Sequence, residues 1–150
     1  MRVLTTAALA LLAACSQELT NLPQQESPDA AGTWVTHHID GVGMPAVVKS
    51  GVDAGVTWEL RALADTLIVR ANGTWEQRVR VRQTQSDGFV AVGGYWDRGE
   101  WTRSGNVLSF QSTWIQNVSF RAELTPGELV VEHDFTLDDG ADAMRRQMQR

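Results

Sequence analysis

The feature that most constrains this chain is an alternation. From Trp75 to Arg82 the residues read Trp-Glu-Gln-Arg-Val-Arg-Val-Arg. Trp75, Val79 and Val81 therefore fall on one side of an extended chain, and Glu76, Arg78, Arg80 and Arg82 on the other. Wound as a helix, the same arginines would spread around the axis and leave no apolar stripe. Shorter runs of the same period give Trp58/Leu60/Ala62, Leu67/Val69, Leu108/Phe110, Val118/Phe120/Ala122/Leu124 and Leu129/Val131/His133/Phe135 as inward faces. Turn residues separate them at Asp40-Gly41, Asn72-Gly73, Asp87-Gly88, Gly93-Gly94, Ser104-Gly105-Asn106, Pro126-Gly127 and Asp139-Gly140. Asn-Gly between two alternating runs is the strongest hairpin signal in the chain.

The pattern predicts strands near 33–39, 45–49, 55–62, 65–71, 74–84, 106–113, 117–124 and 128–135. The stretch 89–103 reads as one strand or as two, broken at Gly93-Gly94 or Arg98-Gly99, and 141–148 as a closing strand or a short amphipathic helix. Consecutive strands with tight turns form antiparallel hairpins, and a sheet this long removes its edges by curling into a barrel or by splitting into a sandwich. The expected class is all-β: a small antiparallel up-and-down β-barrel of about eight strands, with a two-sheet sandwich as the open alternative.

Ahead of this pattern lies a different kind of sequence. Met1-Arg2 is a positive start, Val3 to Leu12 is an apolar run, and Ala13-Ala14 are small residues before the lone cysteine, Cys15. Leu12-Ala13-Ala14-Cys15 resembles the bacterial lipobox. That resemblance implies a signal peptide at 1–14, a diacylglycerol on the Cys15 thiol, cleavage before Cys15, and a further palmitate-type chain on the freed amine. Such a set of acyl chains exceeds what stable anchoring needs. Ser16 rather than Asp after the cysteine implies transfer to the outer membrane, facing the periplasm. Residues 15–31 are otherwise polar with Pro23 and Pro28 and keep no period, as a tether does. One domain is then expected over 32–150.

Charge narrows the partners. The chain has 13 basic and 18 acidic side chains, and Arg2 is the only charge in the leader, so the mature chain is formally six negative. That sign argues against nucleic acid and against polybasic adhesion to anionic lipid, leaving a covalent anchor as the expected means of membrane attachment.

Further residues carry a second resemblance. Gly32-Thr33-Trp34 at the head of the first strand resembles the G-x-W signature of lipocalins, whose Trp crosses the closed bottom of the barrel beneath an Arg from the last strand. The wording Ile39-Asp40-Gly41, Met44-Pro45, Ala71-Asn72-Gly73-Thr74-Trp75 and Gly99-Glu100-Trp101-Thr102 with Ser104-Gly105-Asn106 is similar to small lipocalin-like domains of bacterial lipoproteins, over roughly residues 32–146. The resemblance implies a barrel-closing set of Gly32, Trp34 and Arg145 or Arg146, and a lumen for a small apolar or amphipathic molecule. G-x-W occurs three times here without regular spacing, and the lipocalins' second signature turn is missing.

Six tryptophans make the core unusually aromatic. Trp58, Trp75 and Phe110 are the inward candidates for a ligand cavity, with Tyr95 and Trp96 at its mouth. Metal and catalytic chemistry are not expected. His37 and His38 are neighbours on a strand and so face opposite ways, leaving one of them to meet His133. Asp138-Asp139-Gly140-Ala141-Asp142 lacks the ligand spacing of a calcium loop. No nucleophile elbow occurs, and Glu59, Asp65, Asp97 and Glu100 are scattered. The expectation is a binding lipoprotein without cofactor; the alternative is a structural or protein-interaction module with a filled barrel.

Overall fold

The computed structural model describes residues 29–134 and 143–150; the leader, Cys15 and most of the tether lie outside them, as do Phe135 and the acidic run at 138–142. Ten strands follow one another: β1 (Gly32–Ile39), β2 (Val42–Gly43), β3 (Ala46–Asp53), β4 (Val56–Val69), β5 (Thr74–Gln85), β6 (Val90–Ser104), β7 (Val107–Ser112), β8 (Ser119–Thr125), β9 (Glu128–Asp134) and β10 (Ala143–Gln149). Strands β4 to β10 pair antiparallel in chain order, β10 pairs with β1, and β1 returns to β4. Eight strands thus close on themselves, and the two-sheet sandwich is overturned. Where all eight strands lie side by side, closure leaves no row of open backbone groups.

Two extra strands change the upper end. The first half of β1 pairs with the last part of β4, from Gly32↔Val69 to Val35↔Thr66. The first half of β4 is instead covered by β3, from Ala46↔Ala62 to Asp53↔Val56. Short β2 continues the sheet beside the end of β1, at His38↔Gly43 and Ile39↔Val42. Meanwhile β7 stops at Ser112, opposite Gly99. Above that level β6 has no strand partner on its β7 side among the described residues. Up and down are therefore unlike: a closed lower wall, and an upper wall dominated by β3–β6.

Two expectations need correcting, and one open alternative is decided. The predicted break between 62 and 65 is a bulge: β4 runs unbroken for 14 residues, with the register slipping between Ala62 and Ala64. An extra residue in one strand disturbs the two-residue period just as a turn does. Gly93-Gly94 is not a turn either, because β6 spans 15 residues and Gly93 and Gly94 pair with Val81 and Arg80. A β-carbon on Gly94 would stand 2.3 Å from the Val79 carbonyl oxygen, so the glycine serves a close approach of two backbones. The C-terminal segment, left between helix and strand by its sequence, is strand β10.

The inward residues form two apolar groups. The lower contains Trp34, Leu67, Val69, Trp75, Leu108, Phe110, Phe120, Ala122, Leu124, Leu129, Val131 and Met148. The upper contains Ile39, Ala46, Val48, Ala62, Val79 and Met144, with Met44, Leu60, Val81 and Tyr95 partly buried against them.

Candidate functional site

The lower end is shut. Trp34 is buried and its indole N–H donates to the Ala30 carbonyl at 3.0 Å. The guanidinium of Arg150 lies 4.6 Å from the ring centroid and donates to the carbonyls of Asp29 and Ala31. A β-carbon at Gly32 would come within 3.1 Å of Arg150 Nε, so the G-x-W glycine leaves room for that cation. The expected partner, Arg145 or Arg146, is corrected to Arg150. Register is the reason: Val35 lies opposite Gln149, which puts Trp34 level with residue 150, whereas Arg146 lies opposite Ile39. Arg145 is exposed on the outer wall.

Between the two apolar groups runs a polar belt. Asp65 on β4 accepts hydrogen bonds from Thr36 Oγ1 at 2.7 Å, Gln77 Nε2 at 2.8 Å and Arg146 Nη1 at 2.7 Å, which come from β1, β5 and β10. Asp65 is 0% and Arg146 1% exposed. A carboxylate so deep is tolerable only because a cation and two neutral donors replace its water. On the neighbouring arc Asp97 of β6 accepts from Ser112 Oγ at 2.7 Å and from the Arg98 amide at 2.7 Å. The same Ser112 oxygen accepts the amides of Trp114 and Ile115, tying the β7–β8 loop to the belt. Sequence reasoning named Asp65 and Asp97 only as scattered carboxylates and passed over Gln77. A signal was there: Gln77 interrupts the inward series Trp75, Val79, Val81 with an amide.

Above the belt the interior opens. Ala46, Ala62, Ile39 and Val79 are buried, but Leu60, Val81, Tyr95, Gln83 and Trp58, which continue the same inward faces, are only partly so. Gly93, opposite Val81 and two residues from Tyr95, is exposed, and a β-carbon placed there would meet nothing within 4 Å. The Trp58 indole lies across Gly51, where a β-carbon would come within 2.9 Å of the ring, and so walls the rim. This end forms a shallow cup: partly exposed apolar side chains stand above the polar belt, and among the described residues β7 and β8 do not reach their level. Burial pushes the Tyr95 hydroxyl up to about 12; the Arg146 charge opposes the rise, and Asp65 and Asp97 add to it.

The five cavity residues expected from sequence are thus separated. Tyr95 and Trp58 belong to the cup. Trp75 and Phe110 do not: they pack edge-to-face with centroids 5.8 Å apart, Phe120 lies 5.2 Å from Trp75 and 4.6 Å from Phe110, and this cluster fills the lower end. Trp96 points outward and donates from its indole N–H to Glu76 Oε1 at 2.9 Å. Adjacent strand residues face opposite ways, so Tyr95 and Trp96 could not both serve one lumen. Near the cup, a groove of about 550 Å³ runs along the rim between Ser50, Val52, Trp58, Glu59, Thr84 and Ser86.

His37 and His38 are both exposed, and the side chain of His133 lies outside the described residues. Among the described residues no group of three His, Cys, Asp or Glu side chains converges as metal ligands do. No known protein family matches this sequence, and no curated protein aligns with it significantly.

Proposed function

We propose that this chain is a lipocalin-like lipoprotein of the cell envelope, anchored by acyl chains on Cys15 to the outer membrane and facing the periplasm, and that its barrel holds a small amphipathic molecule in the upper cup. One observation carries the binding half: a β-carbon at Gly93, opposite Val81 and two residues from Tyr95 on the inner face above the Asp65 belt, would meet nothing within 4 Å. An apolar wall over a few fixed polar groups is how small-molecule sites gain both affinity and orientation. The anchoring half rests on Leu12-Ala13-Ala14-Cys15 and the leader before it.

The binding test uses the chain from Ser16 to Arg150, titrated with an environment-sensitive apolar dye and inspected by native mass spectrometry for a co-purified molecule. A one-to-one complex is expected, and Gly93→Phe, which fills the cup from a position with free space, should abolish it while leaving the melting curve in place. No dye uptake by the wild type, or uptake untouched by Gly93→Phe, overturns the binding reading. Anchoring is tested separately: cells fed a palmitate analogue should label the wild type and not Cys15→Ala, and label surviving in that variant sinks the anchor. A second reading, an envelope interaction module with a filled barrel, draws support from the solid packing of the lower group; it gains the field if the wild type takes up no dye.

A further inference from the structure

The outer wall carries something the cup does not use. Outward positions on β6, two residues apart, are Val90, Val92, Gly94, Trp96 and Arg98, and β5 sets Arg82, Arg80 and Arg78 directly opposite Val92, Gly94 and Trp96. Val90, Val92 and Trp96 are exposed, as are Phe89 at the β5–β6 turn and Trp114 and Ile115 on the β7–β8 loop, Trp114 by 58%. Trp96 and Trp114 meet edge-on with centroids 5.3 Å apart, and the Arg98 guanidinium lies 4.9 and 5.1 Å from the two rings. An apolar stripe with aromatic ends therefore runs beside a stripe of arginines.

The charge on this wall is not the charge of the chain. Outward positions of β4–β6 hold Arg61, Arg78, Arg80, Arg82 and Arg98 against Glu59, Glu76 and Glu100, a net of two positive charges. Arg61 engages Glu59, and Arg70 and Arg78 engage Glu76. Among the described residues Arg80 and Arg82 form no ion pair, and both are exposed. On β8 and β9 the outward residues include Glu123, Glu128 and Glu132, with Arg121 opposing. A net charge averaged over both walls hides this polarity. The expectation that an acidic chain is repelled by anionic lipid thus does not hold wall by wall.

We infer that the β5–β6 wall is a second membrane contact, which lays the barrel sideways on the anionic headgroup surface of the bilayer. Tryptophan suits the headgroup level because one part of the ring is apolar and its N–H is polar. Arginine meets headgroup phosphate through a planar fork of donors. The inference rests on the lipid anchor for its bilayer. From Cys15 to Asp29 the chain spans 14 residue steps, or roughly 50 Å extended, comparable to the roughly 50 Å length of a 15-residue strand such as β6. The tether is therefore long enough to let a side wall, and not only the sealed end, face the membrane.

The test uses the same Ser16–Arg150 chain, which lacks the acylated cysteine, so that binding cannot come from the anchor. Vesicles of phosphatidylcholine mixed with phosphatidylglycerol should pull it down, with a blue shift of tryptophan emission; vesicles of phosphatidylcholine alone should not, and added salt should release it. Arg80→Gln with Arg82→Gln should weaken partitioning roughly fivefold per arginine, about twenty-five-fold together, and Trp114→Ala should weaken it further. These side chains are exposed, so an unchanged melting curve is expected for each variant, and the salt titration of the wild type needs no variant at all. Equal partitioning into neutral vesicles, indifference to salt, indifference to the paired arginine change, or preference for nucleic acid or an acidic polysaccharide over the vesicles would overturn the inference. A failure here leaves the Cys15 labelling result standing, and the reverse is equally true.

Discussion

Below the Asp65 belt the barrel points Trp75, Phe110, Phe120, Leu108 and Leu124 at one another, all buried. Above it the same β4, β5 and β6 point Leu60, Val81 and Tyr95 into space that solvent reaches. The inward faces of these strands change only in part along their length, with Gln83 and Gly93 standing beside Leu60, Val81 and Tyr95 at the upper level. The larger difference is in the number of neighbouring strands. At the lower level eight strands surround the axis, while β7 and β8 end at Ser112 and begin at Ser119, so among the described residues the upper level has no strand on that arc. Burial on a barrel's inner face therefore depends on height as well as on side. One end of this molecule holds the fold together; the other leaves its inward side chains within reach of solvent.

That division can be broken by substitution. Trp75→Ala removes the centre of the lower aromatic cluster and should cost about 4 kcal/mol, as large-to-small changes of aromatic core residues do. Leu60→Ala, on a side chain already partly in solvent, should cost about 1 kcal/mol. Urea melts followed by far-UV circular dichroism read both. Equal losses would mean that the upper end is as tightly closed as the lower, and the cup would disappear as a site.

The belt between the two should behave as a single unit. Asp65→Asn leaves Arg146 buried beside a neutral amide and should cost about 3 kcal/mol, the scale of a buried pair broken on one side. A double change to Asp65→Leu with Arg146→Met, which removes both charges, should recover most of that loss. If the single and double variants lose the same stability, the belt holds structure through shape and not through its charges.

Tyr95 reports on the cup itself, and it is the only tyrosine in the chain. Its hydroxyl titrates at about 12 in the fold, chiefly because burial disfavours the phenolate. A pKa raised in the folded state means that the stability this group contributes is complete below about pH 10, its unfolded value, and is lost as the pH climbs through 12. Tyrosinate absorbance should therefore rise with a midpoint near 12. A midpoint near 10 would place the hydroxyl in open water, with the cup wider and wetter than the lower end by more than the packing indicates.

Much of this was legible in the order of residues, and the omissions have a common cause. A two-residue period tells which side of a strand a residue occupies, so Trp58, Trp75, Tyr95 and Phe110 are all inward, as the alternation implies. It does not tell height. Trp75 and Phe110 look like Tyr95 in sequence, yet they lie beneath the belt, because cross-strand register sets level and a single chain does not display its register. The same ignorance attached the sealing cation to Arg145 or Arg146 when Arg150 is the residue level with Trp34. Asp65 was hidden by the bulge at Ala62/Ala64, which breaks the period just before it. Trp96 is different: its place outside follows from its neighbour Tyr95 being inside, and the alternation alone was enough to exclude it.

The smallest effect expected is also the sharpest contrast with Asp65. Glu76 likewise takes three donors, from Arg70 at 2.8 Å, Arg78 at 2.6 Å and the Trp96 indole at 2.9 Å, but on the outer wall, where its side chain is 12% exposed and those of Arg70 and Arg78 are 43% and 65% exposed. Its carboxyl is held down to about 2, first by the bond from Arg70, then by those from Arg78 and Trp96. A lowered folded pKa means that the contribution is present above about 4.5, the ordinary value, and is lost as the pH falls through 2. Glu76→Gln should cost only about 0.5 kcal/mol at neutral pH, because solvent screens the arginines and ordering them opposes the gain. Wild-type and variant melting points should therefore differ slightly at pH 7, converge toward pH 2, and draw together in high salt. Should Glu76→Gln prove as damaging as Asp65→Asn, the number of donors and not their burial would govern what a carboxylate contributes here, and the distinction between wall and interior would lose its physical basis.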